Sequence, residues 1–369
     1  MSFVEDDGGL RFAEKVLSLV DTGRKSATYK LATLLALIDV VAESSSPLRG
    51  APDAVSGKQV ALRVIELYWP QSAVYAAGPD GEPSALRQSA QNDIPAKLHA
   101  WRQLHGLGTR ASLAAARAAD PVGWERLERD LIAIVLRMPI PKLQRFGDTK
   151  VAVEDRFIYD FTWRDEEAAG TVLRIDFDDR LHLLPGAGEY LVRLAPLLRP
   201  AIQNKWVAQV ARQNADLVDA HQLDEFLFGA TRIDLTPVRD HLVEVQDRRC
   251  FYCDRLMRER IEVDHFIPWS RHPDNALDNL VASHATCNGS KSAAIAAHEH
   301  LERWVQRLNT PVLDDVAHDL GWPRRRYRTL GIVSATYRWL PEGSQLWVRS
   351  ADFEIVDPDR VRQVLELVA

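Results

Sequence analysis

Residues 250–292 read CFYCDRLMRERIEVDHFIPWSRHPDNALDNLVASHATCNGSKS, and all three cysteines of the 369-residue chain fall within them. Their spacing is Cys250-x2-Cys253, thirty intervening residues, then His284-x2-Cys287. Two ligands separated by two residues can clasp one metal from a tight turn, and two such clasps complete a tetrahedral Cys3His zinc site with no position left open. A closed site of this kind is structural, and it pins the ends of a segment too short to bury much core of its own. Cysteines clustered in this way suit a metal site in a reducing compartment better than a disulfide framework.

A second constellation is nested inside the first. It comprises Asp264-His265, then Asn279 in Asp-Asn-Leu, then Asn288 and Lys291 in Cys-Asn-Gly-Ser-Lys. At these residues the chain resembles the HNH endonuclease family, whose pattern is a strand ending in Asp-His, a proline-containing loop, Asn-Leu, and a helix opening with Cys-Asn-x-x-Lys. The resemblance covers about 50 of the 369 residues. It departs from many zinc-bearing members at His284, where they have cysteine, and histidine is itself a valid zinc ligand.

The resemblance implies a ββα-metal fold and metal-dependent hydrolysis of DNA phosphodiester bonds. That reaction needs a nucleophilic water, charge stabilisation on the phosphate and help for the leaving 3′ oxygen. A neutral histidine, with an ordinary pKa of roughly 6.5, can take a proton from water near neutral pH, which makes His265 the candidate base. By resemblance, Asp264 and Asn288 hold one catalytic divalent ion, Mg²⁺ or Mn²⁺, with water and phosphate oxygens completing its shell, as hard oxygen donors suit. Asn279 is expected to fix the loop and orient His265. Lys291, one turn beyond Asn288, and Arg271 in Pro-Trp-Ser-Arg are expected to contact phosphate. Cys250, Cys253, His284 and Cys287 would hold the structural Zn²⁺. The competing reading is a zinc-stabilised DNA-binding protein that does not cut.

Outside the motif, composition excludes more than it assigns. Hydrophobic content of 46% with 27% charged residues is that of a soluble globular protein, and no stretch approaches the apolar length of a membrane span. The N-terminus, MSFVEDDGGLRF, carries acids where a secretory signal carries basic residues, so a cytoplasmic location is expected. A net charge of -6 argues against a generally basic nucleic-acid coat. Between 241 and 330, thirteen arginines and lysines meet thirteen acids, so any DNA contact must come from placement rather than net charge.

The expected class is α+β: a mainly helical N-terminal region (1–145), a mixed segment (146–235), the nuclease domain (236–310) and a small C-terminal extension (311–369). Apolar spacing predicts helices over 11–42, with Ser26 and Thr28 as caps, and over 58–68, ending at Trp69-Pro70. Further helices are predicted near 92–105, 121–137 and 188–214. RFIYDFTW (156–163) and TVLRIDF (171–177) read as a pair of strands. A hairpin is expected around 341–344, and a final helix capped by Asp357 with Pro358 at its first position. The run Arg324-Arg325-Arg326-Tyr327-Arg328 reads either as a DNA-backbone contact or as a solvated face. Asp176, Asp178 and Asp179 read as a turn rather than a second metal site, and His298 and His300 as exposed. Trp69, Trp124, Trp163 and Trp206 read as core. The length preceding the motif suggests a recognition or regulatory module, with restriction or anti-phage defence as the expected setting and a homodimer as one route to double-strand cleavage.

Overall fold

The computed structural model describes residues 7–22, 28–75, 84–89, 93–147, 153–164, 167–215, 220–229 and 234–368. Two compact units emerge: Met1–Val40 with Asp53–Arg232, and Val41–Pro52 with Ile233–Ala369. Both combine helices with small antiparallel sheets, so the α+β class holds.

The first unit is mainly helical. Its elements are α1 (Asp7–Thr22), α2 (Tyr29–Glu43, whose last turn falls in the second unit), β1 (Ala54–Ser56), α3 (Gly57–Gln71), β2 (Val74–Tyr75), β3 (Ser84–Ala85), α4 (Asp93–Leu104), α5 (Leu113–Ala119), α6 (Pro121–Arg137), α7 (Pro139–Lys142), β4 (Arg145–Phe146), β5 (Val153–Glu154), β6 (Tyr159–Asp160), α8 (Ala169–Val172), β7 (Arg180–Leu183), α9 (Ala187–Arg193), α10 (Ala195–Gln213) and α11 (Ala220–Phe228). Strands β1, β7 and β6 form its largest sheet, with β7 in the middle. Side-chain caps start the helices where the sequence supplies them: Ser56 accepts from Gln59 N and Asp120 from Gly123 N, each such cap being worth about 1 kcal/mol.

Several sequence expectations are corrected here. α3 continues through Pro70 to Gln71: the proline forgoes one helical hydrogen bond in the last turn, which the burial of Tyr68 and Trp69 and the bonds from Ser72 N to Tyr68 O and Trp69 O hold helical. The helix expected over 188–214 is two helices meeting at Leu194, where Pro196 lies in the first turn of α10. TVLRIDF is not a strand. Its start is the single turn α8, and the strand lies later, at β7. The acids between them make a turn as expected: Asp176 pairs with Arg174, Asp178 with Arg180, and Asp179 Oδ2 accepts from Ser56 Oγ (2.6 Å) and Lys58 N (2.8 Å) at the start of α3. Thr28 precedes α2, and its hydroxyl pairs with Tyr68 OH at 2.6 Å. Ser26 lies outside the described residues. All four tryptophans read as core are buried.

The second unit is built on α12 (Thr236–Val245), β8 (Ile261–His265), β9 (Leu280–His284), α13 (Ala285–Lys291), α14 (His298–Leu308), α15 (Val312–Leu320), α16 (Arg326–Arg338), β10 (Gln345–Arg349), β11 (Asp352–Ile355) and α17 (Pro358–Glu366). β8 and β9 pair antiparallel, Ile261 opposite His284 and His265 opposite Leu280, and α13 follows without a break, giving a ββα unit. Residues after 311 supply Leu313, Leu330, Val333, Tyr337, Trp347 and Leu365 to the same core as Phe266, Leu280 and Trp304. Phe266 stacks on Trp304 at 5.4 Å and 6°. Gly331 admits the chain segment at Glu43: a Cβ there would lie 2.2 Å from Glu43 O. The expected turn at 341–344 forms, but the hairpin closes later, with Arg349 opposite Asp352. Asp357 caps α17, accepting from Asp359 N and Arg360 N.

His298 and His300 are buried, not exposed as the sequence suggested. Each has a partner that makes burial tolerable: Glu354 at 2.6 Å for His298 Nδ1, and Val348 O at 2.8 Å for His300 Nε2.

Candidate functional site

The ends of the ββα unit converge on the four sulfur and imidazole groups. Cys250 and Cys253 lie in a knuckle closed by Cys250 N donating to Arg255 O and Asp254 N donating to Cys250 O, with Asp254 in the left-handed region at φ 57°. His284 ends β9 and immediately precedes α13, and Cys287 lies three residues on, hence on the same helix face. The ligand atoms of Cys250, Cys253, His284 and Cys287 all lie within 4.8 Å of one another. Zinc–sulfur bonds of about 2.3 Å would place tetrahedral sulfurs about 3.8 Å apart, so a small contraction satisfies the ion. Burial, reinforced by Cys250 and Cys253, pushes the Cys287 thiol up to about 12. A cation is what makes three thiolates tenable in so small a space. His284 Nε2 faces Leu256 O at 3.4 Å, which leaves Nδ1, 3.4 Å from Cys253 Sγ, as the metal-facing nitrogen.

Strand alternation and α13 together organise the second cluster. Asp264, 7% exposed on β8, accepts at Oδ2 from Tyr252 OH (2.5 Å) and Lys291 Nζ (3.0 Å). Lys291 is 1% exposed and also donates to His265 O at 2.9 Å. Burial lowers its pKa, and Asp264 opposes that shift. The lysine expected to reach a phosphate is thus placed as a bracket between two residues of β8. Tyr252 links the clusters, since it stands between the two cysteines of the first clasp.

His265 follows on the strand with its ring against Trp269, 5.4 Å between centroids. Its Nε2 meets Asn275 Oδ1 at 2.7 Å. An amide oxygen can only accept, so this nitrogen carries the proton and Nδ1 keeps the lone pair. Burial lowers the ring's pKa, more than the Asn275 contact and Asp264 raise it, which favours the neutral form.

Among the described residues, no side-chain hydrogen bond joins Asn279 to His265. Asn279 Oδ1 accepts from Ile267 N (2.8 Å), and its Nδ2 donates to Ile267 O (3.2 Å) and Asp274 O (3.1 Å), closing the 267–279 loop on itself. The residue that touches the ring, Asn275, lies in that loop. Asn288 reaches β8 at Glu262, with Nδ2 2.8 Å from Oε2, and no hydrogen bond joins it to Asp264 among the described residues. Arg271 is half-buried, and burial lowers its pKa.

Three contributors were missed in the sequence. Glu262 could have been found, because a residue two before Asp264 shares its strand face. Tyr252 reads as an ordinary core aromatic, and nothing separates Asn275 from other polar loop residues until the loop is folded.

The loop is also held from outside. Trp304 Nε1 donates to Asp278 O (2.8 Å), Arg307 Nη2 to Leu277 O (3.1 Å) and Trp322 Nε1 to Asn275 O (2.8 Å), while Leu277 N donates to Pro323 O (3.0 Å). These bonds satisfy the backbone of a buried loop that has no ladder of its own.

Residues 251–297 match the family model described as HNH endonuclease. No curated protein and no solved structure matches the chain. The matched segment contains both halves of the second cluster and all but the first zinc ligand. Among the described residues, no helix is long and apolar enough to cross a membrane.

Proposed function

We propose that this protein is a metal-dependent endonuclease that hydrolyses DNA phosphodiester bonds at the site around His265. The observation that carries the reading is that Asp264 and His265, adjacent at the end of β8, are each fixed by a different element: Asp264 by Tyr252 and Lys291, His265 by Asn275. Such fixed geometry is what a base and a metal-binding carboxylate need.

His265 is the base, accepting the water proton at Nδ1. Asn279 keeps the loop closed so that Asn275 stays against Nε2. Lys291 and Tyr252 hold Asp264 in place. Asp264 and Asn288, with Glu262 hydrogen-bonded to Asn288, would supply oxygen donors of the kind Mg²⁺ or Mn²⁺ takes in preference to a soft metal's ligands. When bound, that ion neutralises charge on the phosphate and the leaving oxygen. Arg271 is assigned to a phosphate beside the scissile one. Zn²⁺ at Cys250, Cys253, His284 and Cys287 is structural. The helical region before the motif is assigned to target choice in a restriction or anti-phage setting, and a homodimer would let two sites cut both strands.

Incubation of the protein with supercoiled plasmid in Mg²⁺ or Mn²⁺ tests this reading. Nicked or linear product that disappears on chelation is expected. Intact plasmid under every divalent metal would leave the non-cutting DNA-binding reading in its place. Comparing unmodified with base-modified DNA separates the modes of target choice, because equal cleavage of both removes modification dependence.

A further inference from the structure

The second unit carries a basic concavity outside the matched segment. Asp314, Arg324, Arg325, Arg326, Tyr327 and Arg328 line an open cavity of about 430 Å³. Four of these six groups are guanidinium-bearing, and Tyr327 projects with 84% of its surface exposed.

The acids around the arginines act mostly from beneath. Asp278 is fully buried and receives Arg325 N at 2.8 Å, with Arg324 Nε at 3.4 Å. Arg328 is braced by Glu43 at 2.8 Å, and Arg324 also pairs with Asp314. Arg326 instead donates to the neutral amide oxygen of Asn309 at 2.7 Å, a contact that positions the group without cancelling its charge. Below them Arg307, itself 8% exposed, has Nε and Nη1 without a hydrogen bond and adds a further buried positive charge.

The position of this surface sets its meaning. Trp322, Pro323 and Arg325 are hydrogen-bonded to Asn275, Leu277 and Asp278, and Asn275 is the residue against His265. The arginine segment and the loop that holds the candidate base are therefore one mechanical piece.

We infer that Arg324–Arg328 is a docking surface for the DNA phosphate backbone, holding the duplex in register with His265. Arg326 neutralises a phosphate, and the Tyr327 hydroxyl donates to a phosphate or sugar oxygen, the contacts that orient a duplex without reading its sequence. This inference rests on the endonuclease reading for its substrate and extends it from the scissile phosphate to the neighbouring ones.

The test uses full-length, zinc-loaded protein carrying His265→Ala, so that binding is measured without cutting, and a labelled duplex of about thirty base pairs titrated at several salt concentrations. Adding Arg326→Gln should weaken binding and reduce the slope of log affinity against log salt by about one, for the one lost phosphate contact. Tyr327→Phe should weaken binding with the slope unchanged. A control pair at exposed positions of α17, Arg360→Gln with Arg362→Gln, should leave both quantities as they were, and thermal midpoints should agree throughout. An Arg326→Gln variant with unaltered slope and affinity overturns the docking surface, whether or not the wild-type protein cuts plasmid. A slope reduced as expected in a protein that never cuts leaves the surface standing and removes the endonuclease reading. Failure of the His265→Ala protein to bind the duplex at all overturns the docking surface.

Discussion

Each unit buries one aspartate among cations, and the two are built differently. In the N-terminal unit Asp39 is fully buried with both oxygens engaged, Oδ2 by Arg63 Nε at 2.8 Å and Oδ1 by Arg199 Nη2. Guanidinium groups do not give up their charge, and their planar forks fix the carboxylate from two sides. In the second unit the bonds from Tyr252 and Lys291 both fall on Oδ2 of Asp264, and Oδ1 carries neither. In the first arrangement both carboxylate oxygens are engaged, and the pairing serves the fold. In the second, no hydrogen bond reaches Oδ1 among the described residues, beside a histidine whose ring burial favours as neutral. Burial of charge alone thus does not mark a reactive site; an incomplete shell around the charge does.

That contrast can be broken or sharpened experimentally, and the Cys3His cluster, proposed above to hold zinc, should give the largest effect. Structural zinc in small domains contributes on the order of 10 kcal/mol to folding, so Cys287→Ser or exhaustive chelation should unfold the second unit and abolish cleavage. Elemental analysis of the wild type should find zinc equimolar with the chain. Folded protein free of zinc would contradict the clasp.

Asp39→Ala comes next. Leaving Arg63 and Arg199 buried without their acid should cost about 3–5 kcal/mol, read as a lowered urea midpoint for the N-terminal unit. The zinc content should not change. A midpoint within error of the wild type would mean that Asp39 does not compensate the two buried guanidinium groups.

Tyr252→Phe should have the smallest effect on stability and a measurable one on function. Losing a hydrogen bond to a charged carboxylate is worth about 1.5–3 kcal/mol, which corresponds to a fall of tenfold or more in cleavage rate if Asp264 is the metal-binding carboxylate. The Mg²⁺ concentration at half-maximal rate should shift as well, with zinc content unaltered. A variant that matches the wild type in rate and Mg²⁺ dependence would detach Tyr252 from the site.

The sequence made the motif legible because its chemistry is local. Cys250, Cys253, His284 and Cys287 are named by spacing, and the strand–loop–strand–helix order between them is where the ββα unit forms. The helices over 93–104 and 121–137 were legible for a similar reason, a sustained apolar period. What stayed hidden depends on distant pairing. The partner of His265 is Asn275 rather than Asn279, a choice made by a loop that Trp304, Arg307 and Trp322 hold in place from 25 or more residues away. TVLRIDF failed as a strand because β-branched composition does not supply a neighbour, and the partner that β1 takes is the later segment β7. His298 and His300 looked exposed because the residues that satisfy them, Glu354 and Val348, arrive with the hairpin about fifty residues later.

The central claim is that His265 performs the chemistry in a frame that does not depend on it. The most direct measurement compares the single-turnover cleavage rates of wild type and His265→Ala, matched for zinc content, thermal midpoint and duplex affinity. The account predicts a loss of at least about a hundredfold for the variant, the range expected when a general base is removed. A variant that cleaves within a few-fold of the wild type would contradict it.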